Sequence, residues 1–455
     1  MPLQYEFEPK LTDIGRLARE MYRKRFRGLG LMLDESGLVV RDPHGLYLSP
    51  PPDLAEENAR WREFLGTVDT LCARIRQFYV FDAVSLFVMG GQLTGSQSSP
   101  EAGSAGSVDG RLNYAATVWM PEVRELVVRE DWTGTAAGSF QDNFVQPFGV
   151  AAYYQMCCLR ELSVTAYSWA EGVSAAIKDL RAIVDSCIAA LGGPGGGGDG
   201  VSRHDIYNMI GILSGVVGYV PHPLVAVAAN TIGLTVQFIS MLDKEAEHDK
   251  TDGPKPELAV DGASAPDVIS STMNALSILE RAISDLDLQL DSGLRQDLWS
   301  PDLFRNSRRR LDSPTLASGD PLGDLTGTRA PGIPASKDPV VANIVNIYRA
   351  GKVNIAGAAD EYSQARSMLE ACEPDPGLKQ YFKRSVDTFN EGRKDLLTVL
   401  SDMTVALHNT SNVLIAVAVS YEVTDEQSSE VFRRIGEIQA PTTRSPDTVP
   451  TRGPY

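Results

Sequence analysis

Histidine, cysteine and positive charge are all scarce in this chain, and each shortage closes a class of function. Five of 455 residues are histidines, at positions 44, 204, 222, 248 and 408. None sits in a His-x-x-x-His or His-Glu-x-x-His spacing that would aim two imidazoles at one metal, and no Gly-x-Ser-x-Gly elbow accompanies them. His248, beside Glu245 and Asp249, reads as part of an exposed helix end. Alternating strand–helix units of a nucleotide-binding fold are missing as well. The sequence therefore predicts a non-enzymatic protein, with no cofactor and no metal. The cysteines Cys72, Cys157, Cys158, Cys187 and Cys372 are odd in number and scattered through apolar helical patterns. That distribution suits buried thiols better than a disulfide framework or a zinc site. Lys and Arg total 42 against 59 Asp and Glu, a formal charge of −17. Such a surplus of acid speaks against a nucleic-acid partner and against general adhesion to anionic membranes. The opening residues, Met1 to Pro9, lack a basic region followed by an apolar core, so no secretory signal peptide is expected and export would need another route.

What is present is helical periodicity. From Phe382, the positions Val386, Phe389, Arg393, Leu396, Leu400, Met403, Leu407, Thr410, Leu414, Val417 and Tyr421 follow at alternating steps of four and three. An apolar seam at that spacing stays on one helix face only when another helix packs along it. Arg393 and Thr410 interrupt it. Asp338-Pro339 and Asp375-Pro376 read as two helix starts, with Asp capping free amides and Pro preset at the first helical position. Residues 338–437 thus form a helical hairpin of about one hundred residues. Val341, Ile344, Val345, Tyr348, Ile355, Ala359, Tyr362 and Met368 give the buried stripe of its first arm.

Upstream, the spacing predicts a helix over Leu11–Leu31, whose basic face (Arg16, Arg19, Arg23, Lys24, Arg25, Arg27) suits a solvated helix docked on an acidic body, or an anionic-lipid contact. A small β-hairpin is expected from Leu38-Val-Val and Leu46-Tyr-Leu around Arg41-Asp-Pro-His-Gly45. Residues 1–52 make up this N-terminal part. Asp53 caps a helix carrying Trp61, Phe64, Leu65, Val68, Leu71 and Ile75. Residues 53–291 then form a helical bundle, interrupted by a flexible Ser/Gly/Ala insert at 92–110 and a Gly-rich linker at 192–200. Pro147 is expected to kink the long helix that follows Phe144. Residues 292–337, rich in Pro, Gly, Asp, Ser and Arg, are expected to be a disordered linker, and 438–455 a disordered tail. The fold class is all-α: long antiparallel hairpins in a bundle, with a separate C-terminal hairpin.

Two short motifs stand out on this frame. Tyr421-Glu-Val-Thr-Asp425 ends the long seam, with an aromatic ring and a carboxylate one helical turn apart. Trp132-Thr-Gly134 stands between two long helical patterns and is followed by Phe140 and Phe144. There Gly permits a tight turn and Trp supplies an apolar body at its tip. A Tyr-x-x-x-Asp/Glu tag after a helical hairpin, together with a Trp-x-Gly turn, resembles the Trp-x-Gly helical-hairpin family of type VII (ESX) secretion substrates, in particular the larger Esp-like members of actinobacteria. The C-terminal hairpin's own turn, Glu373-Pro-Asp-Pro-Gly377, carries no Trp. The resemblance implies a secretion signal at Tyr421 and Asp425, read by the type VII secretion ATPase, and a hairpin turn shaped by Trp132 and Gly134. It also implies a small Trp-x-Gly hairpin partner or a homo-oligomer. The protein would be cytoplasmic before export, and secreted or held in the cell envelope after it.

Ile206 to Leu242 is a run of 37 residues without a formal charge, and its second half, Leu224 to Leu242, is just long enough to cross a bilayer. Its Asn, Thr, Gln and Ser content equally suits a helix buried on all sides. A membrane-active or pore-forming helical protein, and a cytoplasmic helical scaffold, are the alternative readings.

Overall fold

In a computed structural model, residues 2–45, 52–95, 106–128, 132–133, 135–193, 260, 262–311 and 343–422 are described. The architecture is all-α apart from one two-stranded sheet. Helices α1 (Leu3–Gly28), α2 (Leu54–Gln77), α3 (Ala83–Thr94), α4 (Val108–Tyr114) and α5 (Met120–Val128) precede α6 (Thr135–Phe140) and the 45-residue α7 (Gln146–Ala190). Then come α8 (Ala265–Leu298), α9 (Ile344–Arg349), α10 (Ala356–Ala371) and the 40-residue α11 (Lys383–Glu422).

The seam read from the sequence is the inner face of α11. Phe382, Val386, Phe389, Leu396, Leu400, Met403, Leu407 and Leu414 are all buried. Its two interruptions find partners, although Arg393 Nε is buried with none among the described residues. Arg393 Nη1 donates to the carbonyl of Glu370 at 2.9 Å, and Thr410 Oγ1 to that of Ala406 at 2.8 Å. A buried polar group costs little once it is paired. The stripe predicted for the first arm holds from Ile355 to Tyr362 but slips before it: Ile347 is buried, whereas Ile344, Val345 and Tyr348 are only half-buried. A wide π turn over Ala350–Ile355 inserts a residue and rotates the face.

Two more π turns, Ala115–Trp119 and Gln141–Val145, each lie just before a proline, Pro121 and Pro147. A proline cannot donate to the helical ladder, and the widened turn absorbs that gap. The expected kink at Pro147 is therefore a π turn at the head of α7.

Several sequence-based boundaries move. The first helix is Leu3–Gly28, because Leu3 and Phe7 continue its buried face. The hairpin strands are Leu31–Leu33 and Val39–Arg41, one strand earlier than expected. Their turn is Asp34–Gly37, where Asp34 accepts the amides of Ser36 and Leu38 and Gly37 has φ 79°. The insert at 92–110 is shorter than expected, since Gln92–Thr94 end α3 and Ser107 caps α4. The linker at 192–200 begins as a helix stop, with Gly192 at φ 88°. The disordered linker expected over 292–337 is corrected at its start. α8 runs on to Leu298, and residues 299–311 fold back onto α7 and α11 with Leu303, Phe304, Arg309 and Leu311 buried. Arg309 meets Asp395 at 2.6 Å, and Arg310 meets Asp402 at 3.1 Å, so two of the three arginines in the basic run are paired by α11. Asp338-Pro339 lies outside the described residues, and the first arm is capped by Asn343 instead. Asp375-Pro376 starts a short 3-10 turn, after which α11 begins.

The C-terminal hairpin is not detached from the body. Its buried side chains belong to the same hydrophobic core as those of α1 to α8. Trp169 of α7 lies 5.1 Å from Phe389, and Phe148 lies 5.9 Å from Tyr362.

Candidate functional site

The candidate site is the end of the bundle toward which α5 and α11 both run. Contacts along the two fix the register. Trp119 lies against Gly357, where a Cβ would meet the indole at 2.8 Å. Further along, Glu122 accepts from Asn354 at 2.8 Å and meets Arg349 at 3.6 Å. α5 is thus antiparallel to α9 and α10, and the turn after it lies toward the start of α9. On the other side, Gly351 sits against Ser411 and Leu414, so the last turns of α11 reach that same end. The turn holding Trp132 and the helical turn holding Tyr421 are brought to one end of the molecule.

Trp132 lies between α5 and α6, and its ring faces inward. It is 3% exposed, its backbone amide donates to Leu126 at 3.0 Å, and its ring packs on Phe140 at 5.5 Å. Phe140 stacks on Phe144 at 5.2 Å, and Phe144 leads to Phe148 at 6.3 Å and so to Tyr362. The indole Nε1 is buried without a hydrogen-bond partner among the described residues. Gly134 lies outside the described residues. Tyr421 occupies the final turn of α11, which ends at Glu422; Asp425 lies outside the described residues.

At the opposite end and at mid-length, polar groups that no periodicity reveals fasten the C-terminal hairpin to the body. Asp287 of α8 accepts the backbone amides of Arg384 at 3.1 Å and Ser385 at 2.8 Å, and the Ser385 hydroxyl at 2.6 Å. It is an N-cap supplied from another helix, satisfying donors that the first turn of α11 leaves free. Trp169 Nε1 donates to the same Ser385 Oγ at 3.0 Å, and Thr388 donates to Asp291 at 2.6 Å. Midway, buried Gln155 donates to the Arg309 carbonyl at 2.8 Å and accepts from Tyr362 at 2.8 Å.

No group of three or more His, Cys, Asp or Glu could hold a metal among the described residues. The described histidines, His44 and His408, are exposed. The cysteines are free thiols, four of them buried. Burial holds Cys187 at about 11 and Cys372 at about 11, far from thiolate at neutral pH. One carboxyl pair is strongly perturbed. Burial, then the charge and hydrogen bond of Asp297, hold Glu161 well above the usual carboxylate range, and burial raises Asp297 too. It joins α7 to α8. The uncharged run at 206–242 lies outside the described residues; among those described, no helix is long and apolar enough to cross a membrane. Comparison of the chain with protein-family models, with curated proteins and with solved structures returned no match.

Proposed function

We propose that the chain is a non-enzymatic type VII (ESX) secretion substrate or secretion-associated helical protein, exported through a C-terminal signal made of Tyr421 and Asp425. The observation that carries this reading is the course of α11, an unbroken helix through Glu422 that places Tyr421 in its last turn. A helix packed into the core as far as Ala418 gives its last turn a fixed place on the bundle. The Trp132 turn at the same end supports the reading, because a receptor meeting the tag would meet that surface as well. Trp132, buried on Phe140, would act by shaping the turn rather than by direct contact. On this reading the secretion ATPase is the partner, a small helical-hairpin protein or a second copy completes recognition, and the destination is the medium or the envelope.

The test is export from a host carrying the secretion system. Tyr421→Ala and Asp425→Ala, singly and together, abolish appearance in the culture filtrate while the cytosolic protein keeps its helical content and melting temperature. Undiminished export of the double variant rejects the reading.

A further inference from the structure

The outer face of α1 is a cationic stripe that the export reading leaves unused. From Arg16 to Arg27 six cations stand against the single acid Glu20, in a chain whose formal charge is −17. The core side of the helix is Phe7, Leu11, Ile14, Ala18, Tyr22 and Phe26, all buried. At 100° per residue, Arg16, Arg23 and Arg27 point directly away from that side, flanked by Arg19 and Lys24, and all five are exposed. The stripe is about 16 Å long.

Neighbouring acids are already engaged. Glu20 and Asp13 hold Arg16, and Glu57 holds Arg25 and Arg60. Arg23, Lys24 and Arg27 have no ion pair among the described residues. Two of these three lie in the last turn or just before it, where a cation also complements the helix dipole. That effect is local to the helix end and does not require the stripe to extend back to Arg16.

We propose that this face docks on an anionic lipid surface, the cations of α1 meeting headgroup phosphates while the acidic remainder of the molecule is turned away. Charge complementarity selects an anion, and the lack of large exposed apolar side chains along the stripe selects the kind, exposed Tyr5 lying about 16 Å further back on α1. Between residues 12 and 28 the exposed side chains are Thr12, Arg16, Arg19, Glu20, Arg23, Lys24, Arg25 and Arg27, with no large apolar group among them. Protein interfaces are usually anchored by a buried aromatic or aliphatic cluster. A fluid array of phosphates needs only spaced cations. A long polyanion such as duplex DNA would extend past the stripe toward the rest of a molecule whose formal charge is −17. Because the apolar side of α1 is spent on the core, the attachment is electrostatic and peripheral, without insertion.

The full-length protein is sedimented with phosphatidylcholine vesicles containing phosphatidylglycerol and with phosphatidylcholine vesicles alone, at low and high salt. Binding to the anionic vesicles only, reversed by salt, is expected. Arg23→Glu, Lys24→Glu and Arg27→Glu together weaken it at least about tenfold, with an unchanged circular-dichroism melt, and Arg23→Lys with Arg27→Lys retains it. Should the triple reversal melt early, Lys24→Gln with Arg27→Gln replaces it, and a severalfold loss is expected. Equal binding to neutral vesicles, binding that survives high salt, or undiminished binding by the charge variants overturns the proposal. So does capture by polyglutamate or duplex DNA without capture by vesicles.

Discussion

Asp287 stands nearly one hundred residues from the amides it caps, and it ties α8 to the first turn of α11. Asp287→Ala removes three acceptor contacts and takes the cap from the amides of Arg384 and of buried Ser385. We expect a loss of about 2–3 kcal/mol in urea unfolding, with Asp287→Asn retaining part of it. Glycines give a sharper contrast. A Cβ on Gly351 would come within 2.9 Å of the Ser411 carbonyl, whereas one on Gly66 meets nothing within 4 Å. Helix propensity favours Ala over Gly by about 1 kcal/mol at either site. At Gly351, overpacking against backbone costs about 1–3 kcal/mol and wins. Gly66→Ala should therefore raise the melting temperature and Gly351→Ala lower it. The Glu161–Asp297 pair makes stability pH-dependent, with a definite sign. Its carboxyls keep a proton in the folded state at pH values where the unfolded chain has lost it. Their contribution is complete below the ordinary carboxylate pKa and is lost as pH rises through the raised folded values. Glu161→Gln keeps a hydrogen-bond donor toward Asp297 without the titration. Between about pH 5 and about pH 9 the variant's unfolding free energy should fall less than the parent's, by an amount of order 1 kcal/mol.

At the scale of elements, each π turn has an identifiable cause or use. Those before Pro121 and Pro147 accommodate a residue that cannot donate. The one at Ala350–Ile355 is met by α11, where the Ser411 hydroxyl donates to the Gly351 carbonyl at 2.9 Å. Ser411→Ala removes that bond, and a destabilisation of about 1 kcal/mol in thermal unfolding is expected. The α11 seam was legible because burial along one face imposes a spacing that every buried residue must obey, Arg393 and Thr410 included. The register slip before Ile355 was not, because a π turn changes the period without changing composition. The segment after Leu298 misled for a related reason. Arg309 and Arg310 look like solvated linker until Asp395 and Asp402, nearly a hundred residues later, are brought beside them. The same holds at the candidate site. The turn position of Trp132 could be read from its neighbours, but the inward aim of its ring depends on Phe140 and the helix beyond it.

For the whole molecule, the shared core means that the C-terminal hairpin and the body complete one another. Tyr362, Phe382 and Phe389 are buried largely against residues of the other part, and Trp169 and Phe148 depend on them in return. A chain ending at residue 337 exposes that surface, as does the hairpin produced alone. We expect neither fragment to unfold cooperatively in calorimetry and both to bind ANS, while the full chain melts as one transition. Independent cooperative melting of residues 338–437 would show that the contact with the body is dispensable.

The sequence by itself determined the all-α class, the two longest of the described helices, the burial of four of the five thiols and the surplus of negative charge. These follow from local periodicity and composition, which each residue carries wherever the chain goes. Only the tertiary structure decided that the hairpin joins the body's core, that Asp287 caps a helix nearly one hundred residues away, and that the Trp132 turn and the end of α11 share one end. Those relations pair groups distant along the chain, and a hydrogen bond or a ring contact between them leaves no periodic trace in either partner's neighbourhood.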